Sequence, residues 1–136
     1  ASLFYAYVGI DVKKGLEPGE YQMFGSPHNQ LGATINYMAD FAAVGELNVN
    51  LNAVYRGKTP LDDFDLKGVE SDYMVANFRA SLDGIAGTGF GAALFVNNLT
   101  DERYRIGGIG LVKEVGTYGD IYGEPRMFGG EVSYKF

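Results

Sequence analysis

Residues 47–56 read LNVNLNAVYR, and this stretch decides the fold. Leu47, Val49, Leu51 and Ala53 alternate with Asn48, Asn50 and Asn52, and Tyr55 and Arg56 close the run. Successive side chains of an extended chain point to opposite faces, so the decamer is a strand with one apolar and one polar face. A soluble sandwich uses such a strand, and so does a wall with lipid on one side and water on the other.

The same period recurs along the chain. From Leu31 to Phe41, one face carries Leu31, Ala33, Ile35, Tyr37, Ala39 and Phe41. From Met74 to Leu82, Met74, Ala76, Phe78, Ala80 and Leu82 oppose Val75, Asn77, Arg79 and Ser81. Phe90, Ala92, Leu94 and Val96 share a face, as do Phe128, Gly130, Val132, Tyr134 and Phe136. Ser2 to Asp11 also reads as a strand, but both of its faces are apolar and its orientation stays open. The expectation is six strands in a single all-β unit spanning residues 1–136.

Composition agrees. Twenty glycines, nineteen Tyr and Phe and no Trp or Cys suit many short strands and tight turns. The absence of cysteine excludes disulfides and Cys-based zinc sites. A net charge of −6 without a basic cluster argues against a nucleic-acid partner. No secretory leader pattern opens the sequence and no apolar run is long enough for a transmembrane helix, although a transmembrane strand needs only about 9–11 residues.

Connection lengths favour the membrane wall. Segments 42–46 and 84–89 are short and rich in small residues, whereas 12–30, 57–72 and 100–126 are long and polar. Strict alternation of short turns and long loops is the habit of an up-and-down membrane barrel. The polar faces carry Asn, Thr, Gly and Ser rather than Lys and Glu. The apolar faces end in Tyr37, Phe41, Tyr55, Tyr134 and Phe136, as an interfacial girdle requires. The expected fold is therefore an antiparallel up-and-down transmembrane-type β-barrel segment. Six strands close too tightly to leave a lumen, so the isolated chain is expected to self-associate as a homo-oligomer that completes the barrel.

"FVNNLTDERY" (Phe95 to Tyr104) and "YGEPRMFGGEVSYKF" (Tyr122 to Phe136) resemble the end of TonB-dependent outer-membrane receptors. The upstream "GSPHNQLGATINYMADF" is similar to a strand pair of the same family. The resemblance implies that the six strands correspond to the last six of a barrel of about 22 strands, with three extracellular loops between them. It implies a place in the bacterial outer membrane and uptake of a scarce solute such as a siderophore complex, a vitamin or a glycan fragment. Its partners would be outer-membrane lipid, the rest of the receptor barrel and plug, and the barrel-insertion machinery. Val132, Tyr134 and Phe136 resemble the C-terminal signature read by that machinery. No plug or TonB box is visible, so the chain reads as a receptor fragment or a truncated relative, and energised transport does not carry over to it alone. A stand-alone pore is the alternative within the membrane class.

Candidate sites are set by position. Asn48, Asn50, Asn52, Arg56, Asn77, Arg79 and Glu131 lie on the polar face and would line a lumen, or else hydrogen-bond one another within the wall. Arg103, Tyr104, Arg105, Tyr118 and Tyr122 on the last long loop suit capture of a bulky anionic or aromatic ligand. Ser26 and His28, two apart, form the hydrolase alternative, which lacks a nucleophile elbow. Counted from Asp63, the acidic run fails the EF-hand pattern, since Lys67 and Met74 fall at its fifth and twelfth positions; a looser metal site would use Asp62, Asp63 and Asp65. "GTGFGA" (Gly87 to Ala92) matches a dinucleotide fingerprint, but the next residues alternate like a strand where the fingerprint needs a helix, so a glycine-rich turn explains it. No cofactor is expected.

Overall fold

The structure, a computed structural model, describes residues 1–12, 19–21, 25–61, 69–111 and 116–136. In chain order the strands are β1 (Ser2–Tyr7), β2 (Ile10–Val12), β3 (Gly19–Tyr21), β4 (Asn29–Phe41), β5 (Gly45–Arg56) and β6 (Thr59–Pro60). They continue as β7 (Val69–Glu70), β8 (Tyr73–Asp83), β9 (Phe90–Asn97), β10 (Arg105–Leu111), β11 (Thr117–Tyr122) and β12 (Met127–Tyr134). The single helical element among the described residues is a short 3₁₀ turn at Ile85–Gly87.

Six strands form one antiparallel sheet in the order β1-β4-β5-β8-β9-β12. Each long strand thus pairs only with the next long strand in the sequence. The outer edges of β1 and β12 do not meet, so the sheet is open. The other strands form the two-stranded pairs β2-β3, β6-β7 and β10-β11. All three pairs lie within the long connections and rise from one end of the sheet, here the loop end. The opposite, turn end holds the tight connection after β4, where Val44 N donates to Phe41 O at 2.6 Å, and the 3₁₀ turn between β8 and β9.

Register converts the period-two pattern into two surfaces, because cross-strand partners share a face. One row runs Leu47–Leu82–Ala92–Val132, and the next Val49–Ala80–Leu94–Gly130. On the other face a row runs Asn36–Asn50–Arg79–Phe95–Gly129. The register also orients β1, which the sequence left open. Leu3, Tyr5 and Tyr7 pair with Ala33, Leu31 and Asn29 on the apolar side, and Phe4 pairs with Gly32 on the polar side. Phe4 is tolerated there because its ring lies over Gly32, where any Cβ would collide with it. Phe95 repeats the device: its ring covers Gly129 so closely that a Cβ there would sit 2.5 Å away.

The expected first strand, Ser2 to Asp11, is shorter than its sequence suggests. Pairing with β4 ends at Tyr7, Val8 N donates to His28 O at 2.9 Å, and Ile10 pairs with Tyr21 in the first hairpin. The alternation continues across Val8 and Gly9, but the partner changes.

The sheet has almost no conventional core. Among the described residues the buried hydrophobics are Leu61, Tyr73, Ala76 and Ala93. On the apolar face Phe128 is 83% exposed, Val132 79% and Leu94 69%. A soluble domain of this length buries such side chains between layers. Here one layer stands with its apolar face uncovered by any described residue.

Candidate functional site

The polar face holds a hydrogen-bonded lattice. Asn50 Nδ2 donates to Asn36 Oδ1, Asn52 Nδ2 to Thr34 Oγ1 at 3.3 Å, and Asn77 Nδ2 to Asn52 Oδ1 at 3.3 Å. Asn48 Nδ2 donates to Glu46 at 3.2 Å, and Arg79 pairs with Glu131 at 2.9 Å. Six of the seven residues expected on the polar face therefore bond to neighbours on the same or nearby strands. The seventh, Arg56, differs: its Nε is buried with no hydrogen-bond partner among the described residues.

Arg56 stands at the loop end, opposite Tyr73 in the register. Tyr73 stacks on Tyr104 with ring centroids 4.5 Å apart. Tyr104 in turn covers Gly123, leaving no room for a Cβ, and its carbonyl accepts from Gly123 N at 2.9 Å. Burial raises the Tyr104 phenol above its ordinary value of 10.0, with Tyr73 and Glu124 adding to the rise and Arg56 opposing it. A charged guanidinium beside two stacked rings is a surface for flat or anionic groups.

The remaining loop residues are tied to one another. Arg103 lies over the Tyr122 ring, 4.7 Å from its centroid. Arg105 joins two hairpins: Nε donates to Glu70 at 2.5 Å, Nη2 to the Val69 carbonyl at 2.7 Å, and Nη1 to Asp120 at 3.1 Å. The bonds to Glu70 and then Asp120 hold its charge beyond the usual arginine range. Sequence position alone made Arg105 a ligand group, but its donors are committed to fastening β10-β11 onto β6-β7. Tyr118 lies in β11, opposite Gly110.

Asn98 organises the base of this loop and was not singled out from the sequence. It is 2% exposed and left-handed, with φ 52°. Its Nδ2 donates to the carbonyls of Glu102 at 2.8 Å and Glu124 at 3.1 Å. Its Oδ1 accepts from Glu102 N at 2.9 Å and Thr100 Oγ1 at 3.2 Å. Asp101, also left-handed, pairs with Arg126 at 2.8 Å. The two sequence stretches that carry the family resemblance thus hold each other. Asn is among the few residues other than Gly that adopt this backbone routinely, which is the signal that could have marked position 98.

For the hydrolase alternative, His28 Nδ1 faces the carbonyl of Val8 at 2.9 Å, and the ring stacks beside Tyr7 at 5.9 Å. The ring position that an orienting carboxylate would take is filled by backbone. Asp62, Asp63 and Asp65 lie outside the described residues. Among the described residues no three His, Cys, Asp or Glu side chains are grouped to hold a metal. Val132 and Tyr134 share the apolar face, where Tyr134 packs on Phe90 at 4.8 Å and edge-on to Phe136 at 5.1 Å.

No protein-family model matches the chain, and no curated protein or solved structure does either.

Proposed function

We propose that this chain forms part of the wall of a bacterial outer-membrane β-barrel, the part that resembles the C-terminal strands of a TonB-dependent receptor. Its loop end would contribute to capture of a scarce solute such as a metal–siderophore complex, a vitamin or a glycan fragment. One observation carries the reading: the register sorts apolar side chains onto a face that nothing described covers, and the opposite face carries paired Asn, Arg and Glu. In water an uncovered apolar sheet of this extent is an aggregation surface. In hydrocarbon it is the satisfied state, and β4, β5 and β8, at 13, 12 and 11 residues, are long enough to span it when tilted.

The rims fit this reading. Tyr5 donates its hydroxyl to Asn29 at 2.7 Å and Tyr55 to Asp72 at 3.2 Å, both at the loop end of the apolar face. Phe90, Tyr134 and Phe136 cluster at the turn end. Aromatic rings at two levels are what two membrane interfaces select. The role assigned to Val132, Tyr134 and Phe136 is recognition by the barrel-insertion machinery. The chain performs no covalent chemistry in this role.

The unpaired edges of β1 and β12 run antiparallel, since five antiparallel steps separate them. Further strands, or a second copy, would close the wall without inverting either face. Conductance by the chain alone in a planar bilayer would identify a stand-alone pore.

The wall reading is tested by single cysteines carrying a polarity-sensitive fluorophore in refolded vesicles. Ile35→Cys and Val132→Cys should be quenched by brominated lipid, and Asn50→Cys and Ser81→Cys by aqueous iodide. Uniform quenching across both sets would refute the assignment of faces.

A further inference from the structure

The row Asn36–Asn50–Arg79–Phe95–Gly129 crosses the polar face from β4 to β12 with its hydrogen-bonding capacity only partly used. Asn36 Oδ1 accepts from Asn50 Nδ2. That leaves both N–H donors of Asn36 and the Oδ1 acceptor of Asn50 without a partner among the described residues. Arg79 gives one N–H bond to Glu131 at 2.9 Å, and both side chains are about half exposed. Further guanidinium donors and a second carboxylate oxygen therefore remain for a ligand. Donors and acceptors alternate from strand to strand: Asn36, Asn50, Arg79, Glu131.

The row ends in a ring. Phe95 lies over Gly129 and is only partly buried. Beside it Arg79, Ser81, Asp83, Glu131 and Ser133 line a cavity of about 70 Å³, large enough for a hydroxymethyl group. Charge narrows the ligand. Arg79 and Glu131 offset each other, and the excess charge in the cavity is the carboxylate of Asp83, which continues the acidic row Asp40–Glu46–Asp83. An anion is repelled there, and a cation is opposed by the guanidinium and the amide donors. Hydroxyl groups, which both give and accept, use every group on offer. Adjacent strands stand about 4.8 Å apart, close to the repeat of one sugar unit in an extended β-1,4-linked chain. The three steps from Asn36 to Phe95 match three units. A pyranose also has a C–H face for the ring and a rim of hydroxyls for the row.

We propose that this row binds a neutral, extended oligosaccharide. One pyranose stacks on Phe95, its hydroxyls bond to Arg79 and Glu131, and the following units bond to Asn50 and Asn36. The inference rests on the solute-capture reading, with the polar face in water, and selects the glycan among its solute classes.

The test uses the full chain refolded in neutral polyoxyethylene micelles, whose headgroups carry no sugar. Calorimetry follows titration with cellotriose, with glucose and with the trimer of galacturonic acid. Cellotriose should bind several-fold tighter than glucose, which spans one unit, and than the galacturonate trimer, which carries like charge. Phe95→Ala should weaken cellotriose binding about fivefold, as loss of one stacked ring does, and Phe95→Tyr should keep it. Asn36→Ala should weaken it as well, and Ile35→Ala, on the apolar face, should leave it intact. No binding of cellotriose, equal binding of the galacturonate trimer, or full affinity in Phe95→Ala would overturn the proposal. A chain that enters micelles and binds no cellotriose sinks this site alone, whereas one that stays out of micelles sinks the wall reading and this site with it.

Discussion

Asn98 is the residue whose replacement should cost most for its size. It is nearly inaccessible and makes four side-chain hydrogen bonds, two as donor and two as acceptor. At about 1 kcal/mol for each bond lost, Asn98→Gly removes roughly 3–4 kcal/mol while keeping the left-handed backbone accessible. Asn98→Ala should cost about 1 kcal/mol more, because alanine resists that conformation. The loss is local, since the bonds close the loop base rather than the sheet. Trypsin cleavage at Arg103, Arg105 and Arg126 in the micelle-bound protein reads the opening directly. When cleavage tracks the open population, a loss of about 3 kcal/mol corresponds to a roughly hundredfold faster cut. Asp101→Asn is the control: its partner Arg126 and Asp101 itself are half exposed, so that ion pair is worth at most about 1 kcal/mol. If Asn98→Gly is cut at the parent rate, or Asp101→Asn is cut as fast as Asn98→Gly, the account of Asn98 as the loop's fastening fails.

Two further expectations concern the loop end. Arg105→Ala strands Glu70, a mostly buried carboxylate, and frees the last hairpin; we expect roughly 2 kcal/mol, seen as about thirtyfold faster amide exchange in β11, and no change in β5. Tyr104, with its phenol raised above 10.0, favours the folded state fully below that pH and loses the contribution as pH climbs past it. The difference titration of the parent chain against Tyr104→Phe, followed by phenolate absorbance, should place the Tyr104 midpoint above 10.0; a midpoint at or below 10.0 would contradict its burial.

The strands were legible because their pattern is redundant. In Leu31–Phe41 each apolar residue repeats the information of the one two places before it, so a single exception such as Met38 does no harm. The observed strand, Asn29–Phe41, extends that reading by two residues. β1 was opaque for the opposite reason: with both faces apolar, its orientation depends on Gly32, a partner 28 residues away that makes room for Phe4. The hairpins inside the long connections escaped because glycine-rich segments such as Arg105–Leu111 show no alternation of polarity. Closure was not legible either, since the sequence specifies which strand comes after which but not what meets the last edge. At the site, Arg105 illustrates the limit most clearly. A guanidinium among tyrosines suits a ligand or a clamp equally well, and the deciding group, Glu70, is 35 residues distant.

The nearest-neighbour pairing of the long strands has a consequence for how such a sheet could have grown. Every strand pairing in the sheet joins sequence-adjacent members, and each pair, β4 with β5 or β8 with β9, enters and leaves at the same rim. Copying or deleting one pair in the gene would therefore change the number of strands by two while leaving every other register untouched. Sheet width is thus an evolvable quantity that advances in even steps, separately from the hairpins at the loop end.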